Sequence, residues 1–195
     1  MHLLVRETQT LDEQETATDL GQTPADLVFL SFSDSDLGSL ASAWTAMGER
    51  RPSLRLANLA RLRHPMSVDL YVEQVIAGAK CVVVRLLGGL DYWRYGAEEI
   101  AATCRTRGVA LAMMPGDVRD DPRLAALSTV EPDKLARLEA LLREGGPENT
   151  AHALTLSRHL AGRGADDGAA TVQVPNAGMY PVSYTHLTLP TILRV

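Results

Sequence analysis

The sequence predicts an α/β fold: an open, mainly parallel sheet of about five strands with flanking helices, followed by a short helical segment. Short β-branched runs alternate with longer segments whose apolar residues recur at helical spacing, which is the pattern of strands joined by helical crossovers. The run at 80–87 is apolar enough to lie at the centre of such a sheet. At 195 residues and 46% hydrophobic, the chain can bury one substantial core.

In order, 2–5 reads as a short first strand, followed by about twenty polar residues without a clear apolar period. A second strand is expected at 26–31, and Ser33, Asp34, Ser35 and Asp36 then offer caps for a helix running to about residue 50. The third strand is 53–58. Pro65, Ser67 and Asp69 introduce a helix through Gly78, with Val68, Tyr71, Val72, Val75 and Ile76 on its apolar face. After the strand at 80–87, a helix over 94–107 ends at Gly108, a residue suited to a left-handed cap, before a fifth strand at 109–114. Residues 116–122 read as a solvated turn. Leu135, Leu138, Leu141 and Leu142 give helical periodicity to 132–143, and Gly145, Gly146 and Pro147 separate that helix from another over 150–162.

The order of these elements is that of a Rossmann-like or flavodoxin-like domain over 1–130. A helical segment at 131–162 would pack on it or lead to the next domain, and 163–181 would begin a truncated following domain. Within that last stretch, 162–170 has linker composition and 171–181 could open a strand and loop.

A formal net charge of -5, with basic residues scattered rather than striped, argues against a nucleic-acid surface. The opening residues turn polar too quickly for a signal peptide, and no apolar run is long enough to span a bilayer. Cys81 and Cys104 fit buried free thiols in a reducing, cytoplasmic setting, since they form neither a CxxC pair nor a cluster with histidine. His2, His64, His152 and His159 are isolated from one another and from cysteine, so no metal ligand is assigned.

Candidate contact residues gather where the fourth strand gives way to the next helix. Ligands of open α/β sheets bind beyond the carboxyl ends of the strands, and Gly88 and Gly89 occupy such an end. Glycine there admits close backbone approach, although it equally serves a tight turn. The segment lacks both GxGxxG and a phosphate loop, which disfavours an independent nucleotide enzyme. Tyr92, Trp93 and Tyr95 flank Arg94, and flat faces beside a cation suit a large planar or carboxylate-bearing ligand. They suit a plug at the sheet's end or an interdomain contact at least as well. Arg85 and Asp117 extend this polar rim, while Asp34 and Asp36 read as helix caps.

Five pieces lie in co-linear order: MHLLV at the start, DLGQTPADLVFLSFSDSDL at 19–37, PSLRLANLARLRHPMSVDLYVEQV at 52–75, VVVRLLGGLDYWRYGAEEI at 82–100 and MPGDVRDDPRLAALST at 114–129. Together they closely resemble the N-terminus of the large-subunit family of aerobic cobaltochelatases, which is related to the magnesium chelatases. The resemblance runs from residue 1 to about 181. It implies insertion of cobalt(II) as substrate metal into hydrogenobyrinic acid a,c-diamide, a corrin. It also implies two partner subunits, an AAA+ ATPase that hydrolyses ATP with Mg and a subunit with an integrin-like domain. No cofactor is expected on this piece itself. The family's large subunit is several-fold longer, so catalytic residues are expected beyond 181 and this piece alone is expected to be inactive.

Within that frame, Arg85, Gly88, Gly89, Tyr92, Trp93, Arg94, Tyr95 and Asp117 are expected to touch the substrate or a neighbouring domain. Alternatives are a non-catalytic docking module for the ATPase and a piece of a magnesium chelatase acting on protoporphyrin. Residues 182–195 resemble translated sequencing-adapter read-through and are expected to be a non-native tail.

Overall fold

A computed structural model describes residues 16–174. Four of the expected strands form: β1 (Leu27–Ser31), β2 (Leu54–Asn58), β3 (Cys81–Leu86) and β4 (Ala110–Pro115). They make one parallel sheet of order β2-β1-β3-β4. The strand expected at 2–5 lies outside the described residues, as do 175–181 and the tail at 182–195. Among the described residues, therefore, the sheet has four strands rather than about five.

Alternation along the strands divides the core in two, because successive side chains of a strand point to opposite faces. Val28, Leu30, Val82, Val84, Leu86, Leu111 and Met113 face one layer of helices. That layer consists of α2 (Pro65–Gln74), α3 (Arg94–Arg107) and the short α4 (Pro122–Leu127). Leu27, Phe29, Cys81, Val83, Ala112 and Met114 face α1 (Asp34–Ala46), α5 (Pro132–Glu144) and α6 (Gly146–Leu160). Both faces are covered, which is why β3 reads as a nearly unbroken apolar run. α1 lies on one face while α2 and α3 lie on the other, as right-handed crossovers require when the chain winds first outward to β2 and then back past β1 to β3. The winding reverses between β1 and β3, at the centre of the sheet.

Local chemistry explains most of the boundaries. Ser33 caps α1, its hydroxyl accepting from the Asp36 amide at 3.2 Å, with Asp34 and Asp36 in the first turn. This helix stops at Ala46 rather than near residue 50, because Gly48 turns to φ +66° and a 3-10 turn, Gly48–Arg50, follows. α2 likewise ends at Gln74 and yields to a 3-10 turn, Ile76–Gly78. A Cβ on Gly78 would lie 2.9 Å from a carbon of Pro24, so the two segments meet at a contact that admits no side chain there. Gly108, at φ +67°, ends α3 where the sequence predicts. α6 begins at Gly146, four residues earlier than expected, since Pro147 is suited to a first helical turn.

Two elements depart from the sequence reading. The expected solvated turn at 116–122 leads directly into α4, whose N-cap Asp121 accepts from the Arg123 amide and whose Leu124 is fully buried. Residues 171–174 form no strand. The segment of linker composition instead lies as a strap across α5 and α6. Lys134 and Arg137 grip Asp166 at 2.8 and 2.7 Å, and Arg137 also reaches Asp167 at 2.7 Å. The buried Asn149 exchanges two hydrogen bonds with the backbone of Val172.

Candidate functional site

The carboxyl end of β3 is built around two glycines in the left-handed region, Gly88 at φ +80° and Gly89 at φ +76°. Side chains rarely adopt that conformation. It turns backbone amides outward, and those amides are met by the protein's own carboxylates. Gly88 N donates to Asp117 Oδ2 at 3.1 Å, and Leu90 N donates to Asp121 Oδ2 at 2.9 Å. A Cβ on Gly89 would sit 2.8 Å from that same Asp121 oxygen. The Gly88 amide, helped by the Arg119 amide, holds the Asp117 carboxyl below its ordinary range. Arg123 and the Leu90 amide hold Asp121 well below it. The glycine opening is thus closed internally, in a geometry that would otherwise suit an anion.

The three aromatics separate. Trp93 is only 6% exposed and belongs to the core; its indole N–H donates to Leu62 O at 2.8 Å, and its ring fills the space above Gly96. Tyr92 is 55% exposed and meets Phe32 edge to face, ring centroids 5.2 Å apart. Arg63 lies over both rings and donates from Nη2 to the Tyr92 hydroxyl at 2.6 Å. Tyr95, also exposed, donates to Asp69 Oδ1 at 2.6 Å, and this hydrogen bond pushes its hydroxyl up to about 12. Arg94 is engaged by Asp91 and Glu98. Arg63, Val68, Tyr92, Trp93, Arg94 and Tyr95 surround an open hollow of about 280 Å³.

Arg85 stands apart from this hollow. It follows Val84 and precedes Leu86, which face α2 and α3, so strand alternation sends it to the opposite side of the sheet. There it is 8% exposed and pairs with Asp36 at 2.8 Å, and Asp36 accepts in turn from Ser31 Oγ at 2.8 Å. The eight residues expected to share one rim therefore form three groups. Gly88, Gly89 and Asp117 build the turn; Tyr92, Arg94 and Tyr95 stand exposed above Trp93; Arg85 lies buried with Asp36 at the point where the winding reverses. Sequence reasoning missed Arg63 and Phe32, because nothing in the chain links residue 63 or 32 to residue 92. Asp36, read as a helix cap, turns out to be the partner of Arg85.

Among the described residues no three of His, Cys, Asp or Glu are placed to share a metal ion. His64 Nδ1 accepts from the Met66 amide, His152 pairs with Asp167, and His159 lies 3.0 Å from Gly164 O. Burial pushes both cysteine thiols up to about 12. No described helix is long and apolar enough to cross a membrane.

No family model matches the chain. Over 151 residues it is 47% identical to an aerobic cobaltochelatase subunit CobN from a Sinorhizobium species. Over 149 residues it is 44% identical to the protein of the same name from Pseudomonas aeruginosa. The chain is a segment of the aerobic cobaltochelatase large-subunit family. Each match takes in 76% of this chain and 12% of the relative. The fold agrees with a solved structure described as the catalytic subunit of cobaltochelatase from Mycobacterium tuberculosis, at a TM-score of 0.60 and 28% identity, over 76% of this chain and 11% of that one. Within this cobaltochelatase segment, the β3–α3 turn and the hollow beside it lie at the carboxyl end of the sheet.

Proposed function

We propose that the chain serves as part of the large subunit of an ATP-dependent cobaltochelatase, which inserts cobalt(II) into hydrogenobyrinic acid a,c-diamide in aerobic cobalamin biosynthesis. The observation that carries this reading is the 47% identity over 151 residues to a protein of that name. In this reading an AAA+ subunit hydrolyses ATP with Mg, an integrin-like-domain subunit transmits the motion, and all three work in the cytoplasm.

Chelation requires bases for the ring nitrogens and ligands that strip water from the metal. The titratable groups at the glycine turn and the aromatic cluster are ill suited to this: Asp117 and Asp121 are committed to backbone amides, and Tyr95 keeps its proton at neutral pH. The segment's part is therefore contact and positioning. Tyr92, Arg94 and Tyr95 face outward to the corrin or to a neighbouring domain, while Gly88, Gly89, Trp93, Asp117 and Arg85 shape the turn beneath them. The same commitment of the Gly88 and Leu90 amides weighs against a phosphate-binding role.

The test is cobalt insertion, read from the corrin absorption spectrum, by a full-length large subunit with its partners and by this chain in its place. Insertion is expected from the first and none from the second. Insertion by this chain alone would overturn the positioning role, and inactivity of the full-length subunit with all partners and substrates would overturn the reading as a whole. A docking module for the ATPase is the second reading, favoured by the exposure of Tyr92 and Tyr95 beside Arg63. Corrin-independent binding of the ATPase to this face would select it.

A further inference from the structure

We infer that the face formed by Arg63, Tyr92 and Tyr95 docks this segment onto the rest of the large subunit, where Arg63 receives the carboxylate of an Asp or Glu side chain. The inference rests on the family reading above, in which the relatives carry most of their length outside the matched segment.

Arg63 is the first ground. The other two cations along this rim have carboxylate partners: Arg94 has Asp91 and Glu98, and Arg123 has Asp121 and Asp91. No carboxylate pairs with Arg63 among the described residues; its contacts are the Tyr92 hydroxyl and the faces of Tyr92 and Phe32. A long exposed side chain held in this way has already lost much of the freedom that binding would otherwise remove, and a guanidinium with no anionic partner among the described residues suits a planar carboxylate.

The residues around it are the second ground. Tyr92 is 55% exposed and Tyr95 44%, whereas most large apolar groups among the described residues are buried. Tyr and Arg are enriched in protein interfaces and in their energetic centres.

Size favours a protein segment over the corrin as occupant. The hollow is about 280 Å³ and open, at or below the lower end of cavities that enclose even a drug-sized ligand, roughly 300–1,000 Å³. It accommodates one or two side chains of a facing protein surface and leaves a tetrapyrrole uncovered.

The experiment is hydrogen exchange on the full-length large subunit, wild type against Arg63→Glu, with Arg63→Lys as the milder change. Charge reversal is expected to speed exchange about tenfold at 61–66 and 90–96, and also in one stretch outside this chain that contains an acidic residue. β3 should remain as protected as before, which separates lost docking from unfolding. Acceleration confined to 61–66 and 90–96 overturns the inference, as does protection of these residues only when corrin or the ATPase subunit is added. The exchange readout is independent of cobalt insertion, so failure of the docking face and failure of the chelatase reading give different results.

Discussion

Gly96 and Trp93 show how one missing side chain shapes the region beneath the candidate face. A Cβ at Gly96 would lie 2.1 Å from a ring carbon of Trp93. Alanine is the better helix former by about 1 kcal/mol, while overpacking a core costs roughly 1–3 kcal/mol. With a ring rather than a flexible chain end in the way, the clash prevails. Gly96→Ala is expected to lower the urea midpoint, and a higher midpoint would show that the indole has somewhere else to go. Trp93→Ala is expected to lose about 3–5 kcal/mol, measured by the same unfolding curves. A loss of cobalt insertion in that variant would therefore report folding rather than contact. The thiols offer a second check on burial. With both pushed up to about 12, Cys81 and Cys104 are expected to resist a thiol reagent at pH 8 until denaturant is added. Rapid labelling of the native chain would mean that the core around them opens.

At the scale of elements, the strap at 163–174 depends on charge. Lys134, with Arg137 beside it, holds the Asp166 carboxyl well below its ordinary range. A carboxyl whose folded pKa is depressed contributes stability that is complete above its unfolded value, about 3.9, and is lost as pH falls through the folded value. Backbone exchange of 163–174, measured by mass spectrometry, should therefore accelerate only below about pH 4. Arg137→Ala should release the strap at neutral pH, by about 1–3 kcal/mol locally, with the sheet unaffected. An equal loss across β1 and β3 would show that strap and sheet unfold as one unit. The strap also shows why composition misled: Gly, Ala and Asp at 162–170 describe a flexible linker, and the groups that order it come from positions 134, 137, 149 and 152.

For the whole molecule, chain order was legible because it rests on local signals. Four strands could be read from their apolar runs, α3 from its periodicity and its Gly108 cap, and α1 from the Ser33–Asp36 cluster. The co-linear resemblance to cobaltochelatase large subunits was legible for the same reason, since order and spacing are properties of sequence. The candidate face was legible only as a cluster of aromatics. Three residues that look alike on paper have three fates: Trp93 enters the core, Tyr92 joins Phe32 and Arg63, and Tyr95 turns to Asp69.

The sequence by itself determined the alternation of strands and helices, the coverage of both sheet faces and the family, because each follows from spacing along the chain. Only the tertiary structure decided that Arg85 and Tyr92 lie on opposite sides of the sheet, that the glycine turn is filled by Asp117 and Asp121, and that Arg63 is left without a carboxylate among the described residues. Those outcomes depend on which distant residues crossovers and strand alternation bring together, and spacing along the chain does not specify such pairings.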